Sequence, residues 1–159
     1  MFAIGERVLY PMYGAGVIEE IEDKLVDGIK TVFYVLKISV GNLKVVISVN
    51  KAEEKGIRTL LSPDKVLEII EKTDAIDMPN NWNLRYKENL ERLKSGDLKT
   101  EVEVYKTLIL RERIKMLSST EKKMLLNAKQ IIVSEIMLSQ NVDKPNAERI
   151  LLESVEKTA

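Results

Sequence analysis

Apolar residues recur with two different periods along this chain, and the change falls near residue 61. In residues 1–60 they come in short runs broken by turn residues. Arg7-Val-Leu-Tyr10 stops at Pro11, and Gly14-Ala-Gly16 predicts a glycine-bearing turn before a strand over Val17–Ile21. Asp27-Gly28 is a strong two-residue hairpin signal. Thr31–Ile38 is rich in β-branched and aromatic residues, which suit a pleated surface. Gly41-Asn42 marks another tight turn, with Leu43–Val49 the strand after it and Ile57–Leu60 a fifth. Five short strands with tight turns predict a small curled sheet or barrel.

From Ser62-Pro63 the period lengthens. Serine at a cap with proline just inside opens a helix, and Val66, Ile69 and Ile70 give it an apolar stripe. A polar break follows at Asp77-Met-Pro-Asn-Asn81. The next helix runs from Trp82 towards Gly96, a natural C-terminal stop. Leu98 to Met116 carries Leu98, Val102, Tyr105 and Ile109 on one face. Ser118-Ser-Thr-Glu121 has capping-box spacing and opens a helix to Ser139, with Met124, Ala128, Ile131 and Ile132 inward. A last helix spans Pro145 to Lys157. The fold class is therefore α+β in sequence order: a β domain over 1–61, then an all-helical domain of four to five helices over 62–159.

Charge changes this picture, because a net charge of zero hides an asymmetry. Residues 1–80 hold 10 Lys/Arg against 13 Asp/Glu, and residues 81–139 hold 12 against 8. The positive excess sits where an anion would be met by the helical part. The chain has no cysteine, which excludes disulfides and thiolate metal sites. It has no histidine, which removes the commonest general base and metal ligand. No apolar run approaches the roughly 18 residues of a membrane helix. Met-Phe-Ala-Ile-Gly-Glu-Arg leads into no apolar stretch, so no signal peptide and a cytoplasmic location are expected.

Little in the chain resembles a catalytic constellation. Gly14-Ala-Gly16 lacks the third glycine and following helix of a phosphate loop. Glu19, Glu20, Glu22 and Asp23 form an acidic cluster, read as a solvated strand edge rather than a cation site, which needs converging ligands from elsewhere. Tyr10, Tyr13, Phe33 and Tyr34 suit a barrel core, with an aromatic cage as the alternative. Trp82 is more informative. The only tryptophan stands at a helix start among Asn80, Asn81 and Asn83, with Arg85 and Lys87 close behind. There it could stack on a base or wedge into a base step, or plug the junction between the two domains. Further cations follow at Lys94, Lys99, Arg111, Arg113, Lys115, Lys122, Lys123 and Lys129, to be read as phosphate contacts or as a solvated face.

Taken in order, Gly5-Glu-Arg-Val-Leu-Tyr-Pro11, Gly14-Ala-Gly16, Leu36-Lys-Ile, Leu43-Lys-Val-Val-Ile47 and Gly56-Ile-Arg58 resemble the RNA polymerase-interaction domain of CarD-like regulators and the transcription-repair coupling factor. Asn81-Trp82, Arg85-Tyr86-Lys87, Leu93-Lys-Ser-Gly-Asp97, Leu117-Ser with Glu121-Lys-Lys-Met-Leu125, and Ala128-Lys-Gln-Ile-Ile-Val-Ser-Glu135 resemble the helical domain of CarD/CdnL proteins. The resemblance implies a Tudor-like β domain docking on the β subunit of bacterial RNA polymerase, and a helical domain at the upstream edge of the promoter bubble. It implies DNA contact by Trp82 as a minor-groove wedge and by Arg85, Lys87 and Lys122, and Lys123, which flanks Lys122 in the sequence, is a further DNA-contact candidate. It implies polymerase contact by Lys24, Lys44, Val46, Ile47 and the strand backbone. Leu84 stands where arginine is frequent, Asn127 where lysine is frequent, and Ser48 where proline is typical. The first two imply weaker DNA contact, and Val46 with Ser48 alters the polymerase face.

The expectation is a non-enzymatic transcription regulator, located in the cytoplasm at the nucleoid through RNA polymerase. It needs no cofactor, metal, small-molecule substrate or membrane, and its promoter-DNA contact is weak and largely sequence-independent. The alternative is a protein adaptor on RNA polymerase without direct DNA contact. An enzyme using carboxylates or lysine is disfavoured by the absence of a paired acid and base.

Overall fold

Asp27 and Gly28 both take positive φ, 52° and 77°, as a hairpin turn matching the right-handed strand twist requires. They close the longest ladder of the protein. In the computed structural model, which describes residues 1–158, this ladder joins β2 (Gly14–Val26) to β3 (Ile29–Ile38). With β1 (Arg7–Tyr10), β4 (Lys44–Ser48) and β5 (Arg58–Thr59) these form one antiparallel sheet in the order β4-β3-β2-β1-β5. A register shift between Ile18 and Glu20 bends β2, as a bulge does. The half of β2 before the bulge is largely buried, and the half beyond it runs out into solvent. The sheet curls over Val8, Tyr10, Ile18, Tyr34, Leu36 and Ile38. No ladder joins β4 to β5, so the curl stays open at those two edges.

The Tudor-like β domain followed by helices is the architecture expected from sequence, with three local corrections. Gly14-Ala-Gly16 is not a turn: it begins β2, and the turn is made by residues 11–13. A Cβ on Gly16 would lie 2.4 Å from the Lys37 carbonyl oxygen, so the glycine serves strand approach. The strand expected over Leu43–Val49 ends at Ser48, whose hydroxyl accepts the Lys51 N–H at 3.1 Å and caps a short helix, α1 (Val49–Glu54). The strand expected over Ile57–Leu60 shrinks to the two residues of β5.

Five helices follow: α2 (Pro63–Lys72), α3 (Trp82–Lys94), α4 (Leu98–Ile114), α5 (Ser119–Gln140) and α6 (Lys144–Thr158). Their shared core includes Val66, Ile70, Val102, Leu108, Ile132 and Leu151. The irregular segment between α2 and α3 is fixed by α4. Lys106, wholly buried, donates to the carbonyls of Ile70 and Thr73 at 2.6 and 2.8 Å, and Thr107 Oγ1 accepts the Ile76 N–H at 2.9 Å. Burial pushes the Lys106 amine below its ordinary range, and the two carbonyls supply the partners a buried ammonium needs.

The β and helical parts are bonded together through α5. Leu9 and Ala15 of the sheet pack on Ile131. Ser134 Oγ accepts the Ala15 N–H at 2.8 Å and donates to the Ile131 carbonyl. Gly14, at φ 112°, leaves no room for a Cβ beside that hydroxyl. Arg58 of β5 clasps the fully buried Glu135 with two bonds of 2.8 and 3.0 Å, and its Nε donates to the Gly96 carbonyl. Glu101 of α4 lies beside this clasp, buried, with neither carboxylate oxygen hydrogen-bonded.

Burial, reinforced by the Glu135 and Asp97 charges, holds the Glu101 carboxyl well above the usual carboxylate range, against the opposing pull of Arg58. The folded protein thus keeps a proton that the unfolded chain releases near pH ~4.3. Unfolding free energy attributable to this group is full below that pH and declines as pH rises, until the folded carboxyl itself ionises. Glu101→Gln abolishes the decline. In urea melts the stability of Glu101→Gln relative to the wild type is expected to improve from pH ~4.5 towards neutrality, with a slope of up to about 1.4 kcal/mol per pH unit. A difference that does not change with pH would mean that Glu101 is ionised in the fold.

Candidate nucleic-acid interface

Asn81 takes an extended conformation and its side chain accepts the Leu84 N–H at 3.1 Å, the arrangement of a helix N-cap. Trp82 is therefore the first residue of α3, and its side chain is 49% exposed. One turn on, Arg85 turns its guanidinium into the protein. Its Nε and Nη2 donate to the two oxygens of Glu121 at 2.7 and 2.6 Å, and its Nη1 donates to the carbonyls of Pro79 and Asn80 at 2.9 and 3.0 Å. Arg85 is 4% exposed. This corrects the expectation that Arg85 reaches the DNA backbone: its fork is spent inside the fold, holding the two residues before the cap of α3.

Glu121 is the third residue of α5. Ser118 Oγ accepts the Glu121 N–H at 3.2 Å, so half of the expected capping box is present. Its carboxylate does not turn back to the cap but goes to Arg85. The pair thereby fixes the starts of α3 and α5 side by side at the end of α4.

This corner gathers positive charge. Lys87, Lys122 and Lys123 are exposed. Together with Arg111 and Lys115, and with Lys99 near the opposite end of α4, they have no carboxylate within 4.0 Å among the described residues. Other candidates are taken up. Lys129 pairs with Glu148 at 2.9 Å, Lys94 with Glu91 at 3.6 Å, and Arg113 with Glu156. Lys122 and Lys123 diverge. Lys122 borders a groove with Leu126 and Leu152, and Lys123 a cleft with Tyr86 and Asn127. Trp82, Arg111, Lys115 and Met116 line a third cleft, of about 360 Å³. Leu84 is half exposed and presents no donor. Trp82 does not plug the domain junction, which is filled by Leu9, Ala15 and Ile131.

On the β domain, Val46 is exposed on edge strand β4, and Lys44 pairs with Glu19 at 3.4 Å. Lys24 pairs with Glu22 at 3.3 Å and lies over the Phe33 ring. Ile47 is buried in the sheet core, since alternate residues of a strand face opposite sides. Its side chain is thus not on the surface where polymerase contact was expected. The acidic cluster is partly neutralised, Asp23 pairing with Lys30, and among the described residues no three carboxylates converge as a cation site needs. The aromatics do not form one cage: Tyr10 stacks near Tyr13, and Tyr34 near Phe2.

Two joined parts result, one presenting a sheet edge and the other an exposed tryptophan that shares its cleft with two unpaired cations, Arg111 and Lys115. The comparisons with known proteins agree in order and extent. Residues 2–61 match the CarD-like/TRCF RID domain and residues 65–152 the CarD C-terminal domain. The chain is 34% identical over 145 residues to YdeB of Bacillus subtilis (strain 168), named as a candidate transcription factor, covering 89% of this chain and 94% of that protein. The chain belongs to the CarD-like family, which places it among transcription factors. Among the described residues no helix is long and apolar enough to cross a membrane.

Arg85 and Glu121 were legible as charges but not as a pair. Removing one member leaves the other charge buried, which costs about 3–5 kcal/mol. Arg85→Met is expected to lose that much in urea denaturation, and Arg85→Lys most of it, since an ammonium cannot replace a planar fork. Arg85→Met combined with Glu121→Leu recovers the larger part. Additive losses in the double variant would show that the two groups do not act as a pair.

Proposed function

We propose that this chain is a transcription regulator that docks on the β subunit of bacterial RNA polymerase and stabilises the promoter open complex at the upstream edge of the bubble. Residues 1–61 serve polymerase and residues 62–159 serve DNA. The observation that carries the reading is Trp82: a large aromatic held in solvent by a buried ion pair, beside cations that no carboxylate neutralises. An apolar side chain so placed can unstack a base step from the minor groove, while Lys87, Lys122 and Lys123 meet backbone phosphates. Such contacts carry no sequence information. Arg85 acts by positioning Trp82. Polymerase is met by Lys24, Lys44 and Val46 around the free edge of β4, where strand addition uses backbone groups and tolerates side-chain change. Ile47 contributes through its backbone. No cofactor or metal takes part, and the site of action is the cytoplasmic nucleoid.

With zero net charge, free DNA binding would be weak. Tethering through the β domain raises the effective concentration of the helical domain at the promoter. The test is the lifetime of open complexes formed by the cognate polymerase. Trp82→Ala is expected to shorten it at least about fivefold, near the low end of what base–aromatic stacking contributes. Lys122→Ala and Lys123→Ala should each lower the salt-dependence slope by roughly 0.9. Wild-type lifetimes with Trp82→Ala would remove the wedge. No DNA protection by the polymerase-bound protein at low salt would make it a protein adaptor.

A further inference from the structure

Trp82 is not the only large apolar side chain left in solvent at this corner. In the connection from α4 to α5, Met116 is 78% exposed and Ile114, the last residue of α4, is 89% exposed. Single exposed apolar residues are ordinary. Met116 differs in being fixed from both sides. Behind it, the Lys115 N–H donates to the Arg111 carbonyl at 2.8 Å. Ahead of it, Leu117 is buried in the helical core and Ser118 caps α5. The backbone is extended at Lys115, with φ −147° and ψ 131°. Leu117 is buried in the helical core while Met116, the residue before it, is left outside.

Met116 lines the cleft that Trp82 lines, with Arg111 and Lys115 beside them. Residues 111–123 contain five cations and two carboxylates, Glu112 and Glu121. Glu121 is committed to Arg85. Arg113 is taken by Glu156, and Lys122 and Lys123 line other clefts, so Arg111 and Lys115 are the unneutralised cations beside the two apolar side chains. Apolar tips flanked by unneutralised cations complement a polyanion with an apolar interior, which describes a nucleic-acid duplex better than a protein face. Methionine is among the side chains able to enter a base step from the minor groove, and its unbranched thioether adapts to irregular gaps.

We propose that the α4–α5 connection is a second DNA-contacting element, in which Met116 inserts beside Trp82 while Arg111 and Lys115 hold the flanking phosphates. The inference rests on the DNA-contact reading of Trp82. It makes the wedge two-pronged, one prong rigid and one adaptable, both set by the convergence of α3, α4 and α5.

The test uses the full-length protein with the cognate polymerase on a promoter. Met116→Ser should shorten open-complex lifetime about two- to fivefold while leaving the urea midpoint unchanged. Met116→Leu should keep the wild-type lifetime, since an apolar side chain of similar reach remains. The chain has no cysteine, so Met116→Cys carrying an aryl azide gives a single crosslinking point, expected to label promoter DNA at the upstream bubble edge. Wild-type lifetime with Met116→Ser, alongside a shortened one with Trp82→Ala, overturns the second prong and leaves the wedge intact. Wild-type lifetimes with both overturn the reading beneath it as well. Crosslinks to polymerase alone, or a Leu variant as defective as the Ser variant, also overturn the proposal.

Discussion

The buried contact between Arg85 and Glu121 is the constraint on which the helical tip depends. Taking two charges out of water costs several kcal/mol for each, and their attraction offsets this only when geometry is good and the remaining donors are satisfied. Here the carboxylate is held at both oxygens, and the other arm of the guanidinium takes two backbone carbonyls. Those carbonyls belong to Pro79 and Asn80, which lead into the cap of α3. An apolar pair of the same size would fill the space between α3 and α5 but would leave the approach to Trp82 unanchored. The interaction thus contributes position more than stability: it decides where a half-exposed tryptophan stands relative to the first turn of α5.

A second carboxylate of the same helix performs the matching task at the other end. Glu135 is wholly buried and takes the fork of Arg58, an arginine of the β domain. Arg58 also bonds the Gly96 carbonyl, just after α3. The strand edge, the stop of α3 and the middle of α5 therefore meet at one guanidinium. Glu101 stands beside the cluster, where burial and the Glu135 charge hold its carboxyl well above the usual carboxylate range. A chain joined by a linker alone would place its two parts independently. This one carries any anchoring of the β domain through α5 to Trp82 as a fixed displacement.

Much of this was legible in the residues, and the failures have physical causes. The strand-then-helix order followed from the change in apolar period, and the caps at Ser62 and Ser118 lie where their side chains announced them. α1 escaped notice because Val49 continues the apolar run of β4, and only the geometry at Ser48 shows a cap there. Gly14 and Gly16 suggested a turn because glycine marks turns, but close packing against Ser134 and Lys37 also demands a missing side chain. Arg85 was expected on the surface because it follows Trp82 in a polar stretch. What decides its direction is Glu121, thirty-six residues away. A signal did exist for Glu135: a lone acid within Ile131-Ile-Val-Ser-Glu-Ile136 has no apolar reason to be there and implies a buried cation.

On the proposed reading, rigidity also accounts for how a chain with no net charge would act on a polyanion. Electrostatic affinity grows with the number of phosphates neutralised, and it fades with salt. Six unpaired cations spread over three helices are too few for tight binding on their own. If the proposed tether holds them at the promoter, they need only orient the duplex, because the entropy of association would be met elsewhere. The useful work would then fall to the groups that water rewards least for staying exposed, the tryptophan and the methionine beside it. Their exposed apolar surface would be buried only where a base step can open. On that view, the low charge keeps the protein from settling on intact duplex, and the junction at Arg58 and Glu135 lets so weak a surface act at one place.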